Sequence, residues 1–114
     1  MSWLSMATRS DTLQGSLPLL VLTILHRRGP LHGYAITGQI QSLSDALRVE
    51  EGSLYPSLHR MEEAGWIKAR TITTEHNRRA RAYEITAAGR RQLSAEEARW
   101  RSVTEAVNYV LEHA

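Results

Sequence analysis

At Gly65 the hydrophobic period of this chain changes, and no other feature limits its fold as much. Before it, apolar residues recur at helical spacing in three blocks. Leu17, Leu20, Val21, Ile24 and Leu25 mark a first helix from about Leu17 to Arg27. Ser16 suits its N-cap and Pro18 its first turn. A start nearer Asp11 would instead put Pro18 where it kinks the helix. Gly29-Pro30 ends the block. Ile36, Ile40 and Leu43 mark a second helix from about Gly33 to Leu43, and Leu54, Leu58 and Met61 a third from about Glu51 to Ala64. Glu50 and Glu51 favour the start of the third helix, and Gly65 stands where a C′ glycine belongs. Pro56 is expected in the first turn, because further in it would break the helix.

After Gly65 the pattern is that of strands. Trp66 to Thr74 and Ala82 to Thr86 are rich in β-branched and aromatic residues. Between them, Glu75 to Arg81 is polar and basic and reads as a charged hairpin tip. Thr86 can cap a last helix reaching about Glu112, with Gly89 a weak spot in its first turn. That helix would have ~26 residues and be ~39 Å long at the usual rise. The expected fold is mainly α with a small β-hairpin. Three helices and a hairpin, residues 11–86, have the element order of a winged helix-turn-helix, and residues 87–114 form a long C-terminal dimerisation helix.

Composition excludes several classes. The chain has 114 residues and no cysteine, which means one domain with no disulfide framework and no Cys-based metal site. The longest apolar run, about Leu17 to Leu25, is too short to span a bilayer. Met1 to Ser10 lacks a basic region ahead of an apolar stretch, so no signal peptide is expected and the location expected is cytoplasmic. No phosphate-cradling glycine loop and no HExxH occur. His26, His32, His59, His76 and His113 lack metal-ligand spacing, and nothing orders Ser, His and Asp into a triad. Neither catalysis nor a metal or cofactor is expected.

The net charge of +2 hides an uneven distribution. Residues 1–66 carry five cations and six acids, and residues 92–114 two and four. Residues 67–91 carry seven cations against two acids, net +5. Within that block Arg78, Arg79 and Arg81 would repel one another without an anionic partner. A basic tip can also be a solubilising edge device. On the third helix, Ser53, Pro56, Ser57 and Arg60 share a face flanked by Tyr55 and His59. Small hydroxyls with an Arg and a His suit close approach to a DNA groove, although a solvated helix face reads the same way. Joined in one helix-turn-helix pattern, the two features favour DNA.

The last helix carries a further pattern. Leu93, Trp100, Val103, Val107 and Val110 follow 4-3 heptad steps, with one miss at Glu96. A stripe that long in so small a domain calls for a partner helix, most simply in a symmetric dimer. Packing against the first helix of the same chain is the alternative, and both can hold together.

Taken in order, Gly15-Ser-Leu-Pro-Leu-Leu-Val-Leu22, Gly29-Pro-Leu-His-Gly-Tyr34, Glu51-Gly-Ser-Leu-Tyr-Pro-Ser-Leu-His-Arg-Met-Glu62, Asn77-Arg-Arg79 and Tyr83-Glu-Ile-Thr-Ala-Ala-Gly89 resemble the PadR family of bacterial transcriptional regulators. The length resembles the short branch, with a single C-terminal dimerisation helix. The resemblance implies a homodimeric winged-helix repressor on a pseudo-palindromic operator. It implies DNA contacts from Ser53, Tyr55, Pro56, Ser57, His59 and Arg60 of the third helix and from Asn77, Arg78, Arg79 and Arg81 of the wing. It also implies a small planar aromatic effector held by Trp100 at the dimer interface, with Gly15, Leu19 and Thr23 lining the cavity. The chain departs from the family at Ala80 and Ala82, which remove a charge and a stacking surface from the wing. Glu50 replaces a capping Ser or Thr, and Pro18 an acid. The competing reading is a winged-helix module that binds a protein partner or an aromatic ligand without an operator.

Overall fold

The structure, a computed structural model, describes residues 2–114, with side chains from Gly15 onward. The side chains behind the reading of Met1 to Ser10 lie outside the described ones. The elements are α1 (Ser2–Arg28), β1 (Leu31–His32), α2 (Gly33–Leu43), α3 (Glu51–Glu63), β2 (Ile67–Thr73), β3 (Arg79–Ile85) and α4 (Ala87–His113). The strands form one antiparallel sheet in the order β1-β3-β2. The expected order of three helices, a hairpin and a last helix is present, with β1 added.

α1 is the centre of the molecule. It packs against α2, α3, α4 and β3. Being covered on several sides, it buries a wider arc than one stripe. Leu17, Val21, Leu22, Ile24 and Leu25 are buried, while Leu20 is only partly so. The helix begins well before Leu17, which corrects the shorter reading. Ser16 is therefore inside the helix rather than its N-cap, and Pro18 lies in the interior. Pro18 supplies no N–H to the ladder, but the apolar residues that follow it hold α1 in the core. Leu22, Leu25, Ile36, Leu54, Leu58 and Met61 complete that core at 1 % exposure or less. Burying each contributes about 1.5–3 kcal/mol. Leu43, at the expected core spacing, is instead 64 % exposed, at the last position of α2.

Helix ends follow local chemistry. Gly29 takes φ +83° directly after α1. His32 caps α2, its Nδ1 accepting from the Ala35 N–H at 3.2 Å. Glu50 precedes α3 without a side-chain cap bond. Pro56 lies in the second turn of α3, not the first. The bond it forfeits belongs to the Gly52 carbonyl, and both residues are exposed, so water can satisfy that oxygen. α3 ends in a Schellman motif, with Trp66 N–H on the Met61 carbonyl and Gly65 N–H on the Glu62 carbonyl, both at 3.0 Å, and Gly65 at φ +81°.

Thr86 ties the end of the hairpin to α4. Its backbone N–H donates to the Trp66 carbonyl at 3.0 Å. Its Oγ1 accepts from Gly89 N–H at 3.0 Å and lies 2.6 Å from the Gly65 carbonyl oxygen and 3.0 Å from that of Trp66. Gly89 is buried against the base of the hairpin, where a Cβ would overlap the Trp66 carbonyl oxygen. It is a close-approach glycine, not a weak spot in the helix.

Candidate nucleic-acid interface

α3 has a core stripe of four residues, Leu54, Ser57, Leu58 and Met61. Ser57 is 3 % exposed, and its hydroxyl faces the Met61 sulfur at 3.8 Å. Its assignment to the groove-facing side is thus corrected. It stands three residues after Leu54 and four before Met61, so helical spacing already placed it on the apolar stripe. A Ser57→Ala variant should keep its DNA sequence preference and change in stability by no more than about 1 kcal/mol. A binding-site selection beside a thermal melt checks both.

The outer side of α3 presents Pro56, His59 and Arg60, all exposed, with Ser53 half-buried. His59 Nε2 lies 2.9 Å from Glu63 Oε1, both side chains well exposed. Tyr55 is 43 % exposed, but its ring packs on Gly33 so closely that a Cβ there would meet it at 2.8 Å. Tyr55 thereby fastens α3 to the start of α2, and Gly33 makes room for it.

The wing is longer than the sequence suggests. β3 begins at Arg79, so Arg79, Ala80 and Arg81 are strand residues rather than tip. The register pairs Thr73 with Arg79, Thr71 with Arg81, Ala69 with Tyr83 and Ile67 with Ile85. Residues on this one face are buried at the base, where Ile67 and Tyr83 join the core, and exposed towards the tip. Burial raises the Tyr83 phenol above its ordinary pKa, outweighing the nearby Arg81 cation that lowers it, so the hydroxyl stays neutral. The turn is closed by Asn77 N–H on the Thr74 carbonyl at 3.0 Å and Thr74 N–H on the Arg78 carbonyl at 2.8 Å. Asn77 takes φ 57°, a left-handed conformation that asparagine tolerates, which gives it a turn-forming role.

The wing cations differ in their surroundings. Lys68 Nζ lies 3.3 Å from Glu84, and Arg81 Nη2 lies 2.9 Å from Glu62. Among the described residues, Arg78 and Arg79 have no acid within ion-pair distance. These two guanidinium groups, with Arg70 on β2 and Arg60 on α3, are exposed cations for which no ion pair is seen among the described residues. Such a surface suits a polyanion: guanidinium groups for phosphates, and a helix face bearing Arg and His for a groove. Among the described residues, no three His, Cys, Asp or Glu side chains are grouped to hold a metal ion.

The dimer and effector residues fall elsewhere. Leu93 packs into the core at 9 % exposure, whereas Trp100, Val103, Val107 and Val110 are 46–61 % exposed on α4. Packing on α1 thus covers only the first part of the stripe. Thr23 lines a cleft of about 230 Å³ between α1 and α4, with His26, Arg27, Arg90, Leu93, Ser94 and Glu97. Trp100, Gly15 and Leu19 are not among the residues lining this cleft.

Sequence reasoning missed β1 and the pairing of Arg81 with Glu62. Leu31 and His32 are only two residues long as a strand, too short for any alternation to show. Glu62 and Arg81 are distant in sequence and meet only through the fold.

Residues 21–95, 75 of the 114, match the sequence model of the transcriptional regulator PadR-like family. No curated protein matches the chain. Solved structures do. A PadR family transcriptional regulator from Eggerthella lenta superposes with TM-score 0.83 at 25 % identity, covering 99 % of this chain and 96 % of its own. A transcriptional regulator from Clostridium thermocellum gives TM-score 0.78 at 27 % identity, covering 87 % and 96 %. A PadR-like regulator from Bacillus cereus gives 0.77 at 27 %, covering 91 % and 99 %. No described helix is long and apolar enough to cross a membrane. With its winged helix and matched sequence, the chain belongs to the PadR-like family of transcriptional regulators, which bind DNA and are not enzymes.

Proposed function

We propose that this chain is a homodimeric repressor acting in the cytoplasm on a pseudo-palindromic operator. In this reading residues 11–86 form the DNA-binding unit and residues 87–114 the dimerisation helix. Each subunit sets α3 in a major groove and its β2–β3 wing on the adjacent backbone. The observation that carries the reading is the stripe of Trp100, Val103, Val107 and Val110, each about half or more exposed along a helix that outruns its own core. A second copy of the same stripe would cover it and bring two recognition helices to one site. Trp100 then faces its counterpart across the two-fold axis, where two indoles can stack a planar aromatic effector whose binding releases DNA.

Sedimentation of the full chain and a gel shift on the DNA upstream of its own gene, with excess nonspecific DNA, test this reading. A dimer with a retained shift is expected. A monomer, or no binding at low salt, would overturn it in favour of a module for other partners. Quenching of Trp100 emission by planar aromatics is expected, and unchanged emission across a broad panel would remove the effector from the proposal.

Arg78 and Arg79 carry the salt dependence in this reading. Replacing both by Ala should weaken binding to all sequences alike. The slope of log K against log salt should flatten by about 0.9 for each phosphate that is no longer neutralised. Fluorescence anisotropy over a salt series measures it.

A further inference from the structure

We propose that Arg81 is a positioning residue and not a DNA ligand: held by Glu62, it braces the wing against the recognition helix. The proposal rests on the DNA-binding reading above. One guanidinium nitrogen, Nη2, donates to both carboxylate oxygens of Glu62, at 2.9 Å and 3.2 Å. Glu62 is the more buried partner, its side chain 25 % exposed against 62 % for Arg81. It also lies in the last turn of α3, where the helix dipole disfavours an acid. Both conditions make Glu62 need a cation, and among the described residues Arg81 is the one at ion-pair distance. Moving Arg81 to a phosphate would leave that carboxylate uncompensated beside a polyanion.

The position of the contact gives it a role in recognition. It joins the C-terminal turn of α3 to the middle of β3, two residues from Arg79 on the same sheet face. Below it, Tyr83 is fixed in the core; above it, Thr71, Thr73 and Arg79 of the wing are exposed. The brace therefore sets how far Arg78 and Arg79 stand from Arg60, and so whether helix and wing engage one stretch of DNA together. Departures at Ala80 and Ala82 leave this contact intact, since both lie on the opposite face.

Four variants test the proposal by anisotropy on the DNA the parent protein binds, over a salt series, with thermal melts alongside. Arg81→Gln and Glu62→Gln should each weaken binding by up to about five-fold, the scale of an exposed ion pair, and leave the salt slope unchanged. The double variant should bind no more weakly than either single one, because removing both charges leaves neither unpaired. Arg81→Lys should stay near the parent. Two results would overturn the brace: a slope lower by about one unit in Arg81→Gln, the sign of a phosphate deprived of its cation, or tighter binding by Glu62→Gln, as for simple removal of an acid near DNA. Single variants indistinguishable from the parent would overturn it too, while the DNA-binding reading stood. A parent chain that bound no DNA would sink both.

Discussion

Replacing Val103 and Val107 together by glutamate should yield a folded monomer whose operator affinity is lower by at least a hundred-fold. Both valines are about half exposed, and neither belongs to the buried core. Their loss therefore removes nothing that holds one chain together, and the thermal melt of the monomeric unit should change little. Across a two-fold axis the same change places four carboxylates along one apolar seam. Burying them there costs more than the seam can return. A dimer gains because its second half-site binds intramolecularly, an effect on the order of 10²–10⁴ in affinity. A monomer loses that factor and keeps only one helix and one wing. Sedimentation and anisotropy on the same samples give the answer. A variant that still sediments as a dimer, or binds as well as the parent, would remove α4 from the mechanism.

Gly89→Ala should destabilise the protein by about 3 kcal/mol, the upper end of the range for forced overpacking and backbone displacement. The sign is informative. Alanine is favoured over glycine in a helix interior by about 1 kcal/mol, so helix propensity alone predicts a gain. The added Cβ would overlap the Trp66 carbonyl oxygen and crowd Ile85. A carbonyl that already accepts from Thr86 N–H cannot give way without opening the hairpin base. For a domain of this size the melting temperature should fall by roughly 10 °C or more. A rise would show that the helix can slide off the strand at no cost.

The sequence made the element order legible because each element announces itself by a local period or cap. Gly65, Thr86 and the α2 bounds stand where spacing and capping chemistry put them. Leu54, Leu58 and Met61 are buried as expected. What the sequence concealed depends on tertiary neighbours. Pro18 reads as a helix start by propensity, yet α1 continues through it because its flanks are packed on several sides. Leu22 looks off-stripe until α1 is seen to be central. Ser57 looks polar and hence outward, but its spacing outranks its hydroxyl, which needs only a weak partner. Arg81 reads as one more cation of a basic run, and only the fold reveals its carboxylate. In each case the local pattern suggested one role and the tertiary neighbours assigned another.

The junction at Thr86 joins the end of α3, both strands of the wing and the first turn of α4 within a few hydrogen bonds. α4 then runs for 27 residues, or about 40 Å. It is the long arm of a lever whose short arm is α3. A tilt of roughly 5° at the pivot would carry the far end of such an arm through about 3.5 Å. Small differences at one threonine hydroxyl thus become large differences in where a second subunit would sit.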